Sequence, residues 1–242
     1  MWFSLMNNNI MTLPDDNCTG CQLCSAICPH QAIQIQLNNE GFYRSLVDEK
    51  LCTDCGLCCK ICYKFHEEAT KYTQKDLNCY AAYSKDSNNL YNSSSGGVAS
   101  HLAQYFVEKG VKCIGIRYDL AQHIAIADIA LNKQEIEAFR GSKYMQAYTE
   151  KAYRQALEDR STQKYAIFGT PCQIYALDKY ARLRKMRDRF ILIDFFCHGC
   201  PSILLWQKHL AEVQQKVGLI KEIKFRSKKF GWHRYVTEFI GE

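Results

Sequence analysis

The feature that most constrains this chain is a cysteine pattern that occurs twice near its start. Each run has three cysteines at intervals of three residues and a fourth cysteine four residues later. Three crowded thiolates followed by a fourth form the ligand pattern of bacterial ferredoxins with [4Fe–4S] clusters. The eight predicted ligands are Cys18, Cys21, Cys24, Cys28, Cys52, Cys55, Cys58 and Cys62.

The same pattern predicts how the eight ligands are shared between two clusters. In two-cluster ferredoxins, the fourth cysteine of each run binds the cluster of the other run. The predicted sets are therefore Cys18, Cys21, Cys24 and Cys62 for one cluster, and Cys52, Cys55, Cys58 and Cys28 for the other. The second run departs from the usual pattern because Tyr63 stands where proline is expected, which removes no ligand. Cys59 is a spare cysteine, and we expect it to be a small core residue.

Other cysteine chemistry fits this pattern less well. Structural zinc sites pair cysteines across a longer spacer, whereas three cysteines crowd together here, so zinc is the weaker alternative. The C-x3-C-x2-C loop of radical-SAM enzymes does not occur, because Gln31 and Phe65 stand where its third cysteine would be. A disulfide framework is typical of short secreted chains, and residues 1–11 lack the basic start and cleavage site of a signal peptide.

The composition narrows the classes of function. A chain of 242 residues that is 47% apolar can fill one or two ordinary cores. Its formal charge of +6 counts the cysteines as neutral. Because each oxidised cluster with four thiolates carries about −2, two clusters lower the total to roughly +2, and we expect no nucleic-acid partner. No apolar run reaches the roughly 18 residues of a membrane span, and we expect a cytoplasmic protein of an anaerobic cell.

The pattern after the cysteine runs changes to strands alternating with amphipathic helices. We predict an α+β fold: a small two-cluster ferredoxin-like domain over 1–66, then an α/β domain over 77–242 with a mostly parallel or mixed sheet. A polar linker at 64–76 joins them. Predicted strands are 32–37, 42–47, 79–83, 113–118, 124–131, 165–168, 190–196 and 220–225, and predicted helices are 97–108, 150–159, 173–186 and 203–217.

Four loops of the second domain carry residue types that bind ligands. Residues 93–97 open a helix with hydroxyls and unhindered amides, which suits a phosphate, although a capped helix is the simpler interpretation. Residues 141–144 add a cation and an aromatic ring. Residues 169–173 and 197–202 each follow a strand, where open α/β sheets bind ligands. Neither a Rossmann fingerprint nor a P-loop occurs.

Taken in order, these loops resemble the family of beta subunits of coenzyme F420 hydrogenases and dehydrogenases. The resemblance runs roughly from Cys79 to the end and rests on SSSGGVASHLAQYFVEKG from Ser93, GSKYMQA from Gly141, FGTPCQIYAL from Phe168, FFCHGCPS from Phe195 and KFRSKKFGW from Lys224. It implies a flavin, FAD, beside the clusters. Because the family also resembles reductases of chlorophyll precursors, the substrate stays open. Members continue beyond the final motif, so the resemblance implies a chain truncated at Glu242.

The resemblance also implies candidate site residues. Candidates for the flavin phosphate and its neighbourhood are Ser94, Ser95, Gly96, Gly97, Gly141, Ser142, Lys143 and Tyr144. Candidates for the lining of the flavin or substrate cleft are Gly169, Thr170, Pro171 and Gln173. Cys172 and His198 are the catalytic candidates, and His198 either delivers a proton or caps a turn. One alternative assigns a further cluster to Cys172, Cys197 and Cys200, for which a fourth ligand is lacking.

The leading interpretation is an iron–sulfur flavoprotein oxidoreductase with two [4Fe–4S] clusters and FAD. Its flavin would exchange electron pairs with a small-molecule donor or acceptor, and its clusters would relay single electrons to a redox partner. The alternatives are a ferredoxin-like carrier without flavin and a non-catalytic subunit that clusters stabilise. Basic residues at 179–189 and 221–229 are either solvated faces or a docking face for an acidic electron-transfer partner.

Overall fold

A five-stranded mixed sheet organises the protein in this computed structural model, which describes residues 8–14, 17–66 and 78–242. Its strands are β3 (Lys112–Asp119), β4 (Ile124–Ala130), β5 (Ala147–Tyr148), β6 (Tyr165–Gly169) and β7 (Phe190–Asp194). Their order is β5–β4–β3–β6–β7. The β3–β4 pair is antiparallel and the other neighbouring pairs are parallel, so β3, β6 and β7 end at one edge of the sheet.

Helices cover both faces of this sheet. They are α4 (Val98–Glu108), α5 (Lys133–Glu137), α6 (Glu150–Glu158) and α7 (Pro171–Leu183). Because side chains alternate along a strand, the two faces of β3 pack against different helices. Cys113 lies in a core with α4 and α5, whereas Ile114 lies in the principal core with α6 and α7.

The N-terminal region, residues 8–66, packs onto α6 and α7. It contains α1 (Leu23–Ala26), the antiparallel hairpin of β1 (Ile33–Leu37) and β2 (Tyr43–Val47), and α2 (Leu57–Ile61). Helix α1 contacts α6, and α2 contacts α7. Leu23 and Ile61 are buried in the same principal core as Ile114 of the sheet. The cysteine-rich region and the α/β body therefore share one core.

Two glutamines join the same two regions through polar contacts. Gln22 is buried with a left-handed backbone (φ 65°), and its Oε1 accepts the backbone N–H of Thr149 at 2.7 Å. Gln146, which belongs to the α/β body, binds backbone groups of the N-terminal region in turn. Its Oε1 accepts the backbone N–H of Tyr43 at 2.6 Å, and its Nε2 donates to the carbonyl of Thr19 at 3.0 Å. Side-chain amides thus satisfy backbone groups that the contact would otherwise leave unpaired.

The C-terminal elements pack around β3 and β4. They are α8 (Ile203–Val217) and the antiparallel pair β8 (Glu222–Ser227) and β9 (Val236–Ile240). Trp206 of α8 stacks on Phe225 with ring centroids 5.1 Å apart, and its indole N–H donates to the Tyr118 hydroxyl at 3.1 Å. A further short helix, α3 (Ser87–Asn92), precedes α4.

The predicted fold class is confirmed, and the predicted strand at 79–83 is wrong. Residues 79–83 are all exposed and form no strand, because an alternating pattern gives a strand only where one of its faces is covered. The strand predicted to reach Phe196 ends at Asp194. Short elements such as α3, α5 and β5 were not predicted, since they are too short to show a period. The linker predicted at 64–76 lies outside the described residues from position 67 onward.

Among the residues that the structure describes, no helix combines the length and the apolar character that crossing a bilayer requires.

Candidate iron–sulfur centres and flavin loops

Five cysteines from two separate segments line one cavity beside the β1–β2 hairpin. Four of them are Cys28, Cys52, Cys55 and Cys58, the set predicted for one cluster, and we call them the outer cysteine set; the fifth is Cys24, which is predicted for the other cluster. The cavity has a volume of about 20 Å³ and is partly open to solvent, and Cys55 is exposed. Apolar side chains, including Ile33 and Leu57, line much of the remainder. Four convergent thiols in a mostly apolar cavity fit a [4Fe–4S] cluster.

The loop of the outer set depends on close backbone approach and on an asparagine. Gly56 has a φ of 70° directly before α2, and a Cβ there would lie 2.5 Å from the side chain of Asn8. Asn9 is buried, and its Nδ2 donates to Asp54 at 2.7 Å and lies 3.7 Å from the sulfur of Cys52. An amide donor beside a ligand sulfur stabilises the thiolate. Asn9 belongs to no motif, so the sequence alone did not identify it.

The other four predicted ligands, Cys18, Cys21, Cys24 and Cys62, also lie together, and we call them the inner cysteine set. Burial raises the pKa of the Cys24 thiol to about 12, a hydrogen bond with the Ser45 hydroxyl at 2.9 Å lowers it, and Cys18, Cys58 of the outer set, and Cys62 raise it. Burial and Cys24 likewise raise the pKa of Cys21. Four neighbouring thiols whose ionisation is unfavourable alone suit ligation to iron, which supplies the positive charge.

The structure contains no disulfide, since all 14 cysteines are free thiols. Within the described ranges, no three Cys, His, Asp or Glu side chains are placed to hold a single metal ion.

Cys172 lies against the inner set. Burial is the largest cause of the raised pKa of Cys21 and of Cys62, and the negative charge of the Cys172 thiolate raises both pKa values further. Cys172 stands in the first turn of α7, directly beyond β6, with Sγ 3.1 Å from the Thr170 hydroxyl. Thr170 and Gln173 form a capping box, in which the Gln173 side chain accepts the Thr170 N–H at 2.9 Å. These two predicted cleft residues thus cap a helix, and their place in a ligand cleft stays a prediction.

The loop at 197–202 lies beside the Cys172 loop. Strands β6 and β7 are parallel with Gly169 opposite Asp194, so both loops leave the same edge of the sheet. Burial raises the pKa of Cys200, and Cys197 and Cys172 raise it further, which places the three thiols together. His198 is exposed and makes no hydrogen bond within the described part of the chain. Its catalytic role stays a prediction.

The predicted flavin loops meet at the start of α4. The backbone N–H of Ser142 donates to the Ser94 hydroxyl at 2.6 Å. Lys228 donates to the carbonyl of Ser95 at 3.0 Å and lies 4.5 Å from the centroid of the Trp232 ring. Gly97, with a φ of 75°, leads directly into the helix, whose first backbone N–H groups and positive dipole end suit a phosphate. Lys228 and Trp232 lie in the KFRSKKFGW motif but were not among the predicted site residues.

The loop at 141–144 contains a lysine in an apolar setting. Burial lowers the pKa of Lys143 to about 7, and its Nζ donates to the carbonyls of Ala138 at 3.1 Å and Arg140 at 2.9 Å. Gly141 has a φ of 76°, and no atom lies within 4 Å of the position that a Cβ would take. The loop therefore offers open space next to a cation, which fits an anionic group. Tyr144 is exposed beside it.

Comparison with known families gives the decisive observation. The N-term model of "Coenzyme F420 hydrogenase/dehydrogenase, beta subunit" matches residues 79–153, and the C terminus model of the same family matches residues 162–239. The chain belongs to the family of coenzyme F420 hydrogenase/dehydrogenase beta subunits. A 4Fe-4S dicluster domain matches residues 17–65 of this family member, which confirms the prediction of iron–sulfur clusters. FAD and the individual site residues stay predictions.

Two curated relatives and one solved structure are similar to this member of the family. One F(420)H(2) dehydrogenase subunit, that of Methanosarcina mazei, is 26% identical, over 74% of this chain and 52% of its own length. An uncharacterized protein of Methanocaldococcus jannaschii is 24% identical, over 67% and 52%. The chain thus spans about half the length of these relatives. A chain of the F420-reducing [NiFe] hydrogenase complex from Methanosarcina barkeri, 19% identical, shares the fold with a TM-score of 0.50 over 69% of this chain and 63% of its own.

Proposed function

We propose that this protein is an oxidoreductase that passes electrons between a flavin-linked two-electron donor or substrate and two [4Fe–4S] clusters. The observation that carries the proposal is the position of the inner cysteine set, which lies against Cys172 at the sheet edge where β6 and β7 end. Helix α4 leads into β3 through residues 109–111 alone, and β3 runs parallel to β6. The start of α4 therefore faces the same edge, and the flavin loops lie on the inner-set side of the molecule.

FAD is the cofactor we propose for those loops. The first N–H groups of α4 and the amines of Lys143 and Lys228 would bind its phosphates, and the aromatic rings of Tyr144 and Trp232 would contact its flat groups. When bound, FAD supplies the exchange of a hydride for two single electrons. The protein contributes position, because the capped start of α7 holds Cys172 beside Cys21 of the inner cysteine set.

The two cysteine sets then provide a path for single electrons. The loop between Cys18 and Cys21 of the inner set accepts a hydrogen bond from Gln146, two residues after the loop at 141–144, and the outer set has an exposed member, Cys55. Cys24 and Cys28 lie on one short loop but belong to different sets, so the sets are close neighbours. Clusters held there carry one electron at a time toward a partner.

A ferredoxin-like carrier without flavin is the second candidate. The Ser94 hydroxyl already accepts the Ser142 N–H, and Lys228 already donates to carbonyls of residues 90 and 95. Groups that satisfy one another can also form a stable loop contact without any ligand.

Anaerobic reconstitution separates the two candidates. The chain is loaded with iron and sulfide, then titrated with FAD while flavin fluorescence and the absorbance near 450 nm are followed. We expect saturation at one FAD per chain. The Lys228→Met variant should bind FAD at least about tenfold more weakly, since it loses a phosphate cation. The matched control is Lys216→Met, on exposed α8, which should bind like the wild type.

Iron without any bound FAD would favour the carrier. A preparation that holds zinc or no metal would contradict both candidates.

A further inference from the structure

A second cavity lies where residues 26–31 of the N-terminal region meet the ends of α6 and α7, and we call it the basic cavity. Its volume is about 390 Å³, and it opens to solvent. Its arginines come from three stretches of chain: Arg154 on α6, Arg160 after that helix, and Arg184 and Arg189 after α7. The cavity is thus several times larger than a single oxyanion, and the fold assembles its charge.

Two of these arginines already donate hydrogen bonds to oxygen atoms of the protein. Arg154 donates to Glu150 at 2.6 Å and to the carbonyl of Ser25 at 2.6 Å. Arg189 donates to the carbonyls of Asp159 at 2.7 Å and Gln163 at 3.4 Å, while its Nη2 is buried with no partner among the described residues. Arg189 bonds to carbonyl oxygens and keeps its positive charge, whereas the charge of Arg154 is paired with the carboxylate of Glu150.

The other two arginines are free. Arg160 and Arg184 are exposed, and within the described ranges neither side chain has a hydrogen-bond or ion-pair partner. The carboxylates in the lining are Glu158 and Asp159, and Glu150 pairs with Arg154, so four arginines face three acids, a net +1. Hydrogen bonds from Ser161 and Tyr165 hold the pKa of Asp159 well below its usual range, so its charge is already directed at those partners. The cavity attracts anions.

The basic cavity also shares a wall with the cavity of the outer cysteine set. Ile27, Cys28 and Pro29 line both. Cys28 is a member of the outer set, so a molecule seated between the arginines is separated from the outer cluster site by this one loop. Electron transfer requires that kind of proximity between donor and acceptor.

We propose that the basic cavity docks an acidic protein that carries single electrons, and that it brings this carrier to the Cys28 side of the outer cluster; this rests on the proposed electron-transfer function. The chemistry that recognises the carrier is a group of Asp and Glu side chains that enters between Arg160 and Arg184. The lining also includes the apolar side chains of Leu157 and Met186, and apolar contacts beside arginines are typical of protein interfaces. A small anion would leave most of this volume unfilled.

The test measures binding without turnover. The cluster-loaded chain, oxidised and free of donor, is titrated with an oxidised acidic bacterial ferredoxin as the probe, at ionic strengths of about 20 and 500 mM. The test variant is Arg160→Glu/Arg184→Glu, and the control Lys208→Glu/Lys216→Glu reverses the same charge on α8, outside the cavity. A third variant, Arg160→Lys/Arg184→Lys, keeps the charge. The iron content of each variant and the reduction of its clusters by dithionite are recorded, so that loss of a cluster is distinguished from loss of ferredoxin binding.

We expect the test variant to weaken ferredoxin binding at least about tenfold at low salt, and the control and the lysine variant less than about threefold. Wild-type affinity should fall at high salt. Equal weakening by test and control variants would overturn the proposal, because net charge alone would then act. Inorganic phosphate that binds the wild type but not the test variant, with ferredoxin binding unchanged, would assign the cavity to a small anion and also overturn it. If the variants show the expected order of ferredoxin affinities but the wild type binds no FAD, only the proposal of a flavin is contradicted.

Discussion

The inner and outer cysteine sets come from one repeated motif, yet they lie in different surroundings. Burial raises the pKa of Cys24 in the inner set to about 12, whereas a hydrogen bond with Cys59 lowers the pKa of Cys58 in the outer set to about 7. The inner set lies against Cys172, and the outer set has an exposed member, Cys55. Ligand spacing is therefore local information, and the properties of each site come from tertiary packing.

The difference implies a direction of electron flow. Reduction adds negative charge to a cluster, so a buried environment lowers the reduction potential, and hydrogen-bond donors or solvent raise it. We expect the inner cluster to have the lower potential and the outer cluster the higher one. Under the proposed function, we expect electrons to move from the flavin loops through the inner set to the outer set and the basic cavity.

The largest expected effects come from removing one ligand of each set. Cys21→Ser and Cys55→Ser should each reduce the iron content from about eight to about four atoms per chain. The two variants should differ in stability, because Cys21 packs against the principal core and Cys55 is exposed. We expect a larger fall in Tm for Cys21→Ser.

Iron analysis and thermal unfolding of anaerobic samples check this prediction. Cys79→Ser, at an exposed cysteine outside both sets, is the control and should keep all the iron. Equal loss of stability in the two ligand variants would remove the distinction between inner and outer sets.

A second large effect is expected where the inner set meets the sheet. Gln22→Ala leaves the buried N–H of Thr149 without its acceptor, which should reduce the free energy of unfolding by about 2–4 kcal/mol. Gln36→Ala, on the exposed side of β1, should change it by less than about 0.5 kcal/mol. Urea unfolding measures both. Loss of the N-terminal region alone, with a separate transition for the rest, would show that the shared core does not couple the two regions.

The pH dependence of FAD affinity tests the assignment of Lys143 to the flavin site. Burial lowers the pKa of Lys143 to about 7, and a bound phosphate would raise it because the charged amine is then paired. FAD affinity should therefore be constant below about pH 7 and fall by up to about tenfold per pH unit above it. Lys143→Met should bind FAD weakly with no such dependence. Fluorescence titrations from pH 6 to 9 measure both, and a wild-type affinity that rises with pH would contradict the assignment.

The sequence predicted the iron–sulfur domain because cluster binding is encoded by cysteine spacing over a few residues, and the assignment of each ligand stays a prediction. The same holds for the helix start after Ser202, a capping residue, whereas α7 starts at Pro171, two residues before the predicted start. The sequence did not predict contacts between distant segments. Gln22 and Gln146 are 124 positions apart and neither belongs to a motif, although together they join the two regions.

The basic cavity was not predicted either, because residues from distant segments form it. The cluster of basic residues at 179–189 was visible in the sequence as one face of a helix and its following turn. Arg154 and Arg160 come from another segment, and only the fold brings them to Cys28. The predicted strand at 79–83 failed for the converse reason: its pattern was locally correct, but no other element covers one of its faces.

The smallest expected effect is the most direct measure of the difference between the two sets. The Ser45 hydroxyl lies 2.9 Å from the sulfur of Cys24, and the Asn9 amide lies 3.7 Å from that of Cys52. When the sulfur is a ligated thiolate, both groups donate to it and stabilise the reduced cluster. Ser45→Ala should lower the inner potential and Asn9→Ala the outer one, each by on the order of tens of millivolts. EPR-monitored redox titration resolves two potentials, and a variant that shifts both equally would mean that the clusters do not respond to separate surroundings.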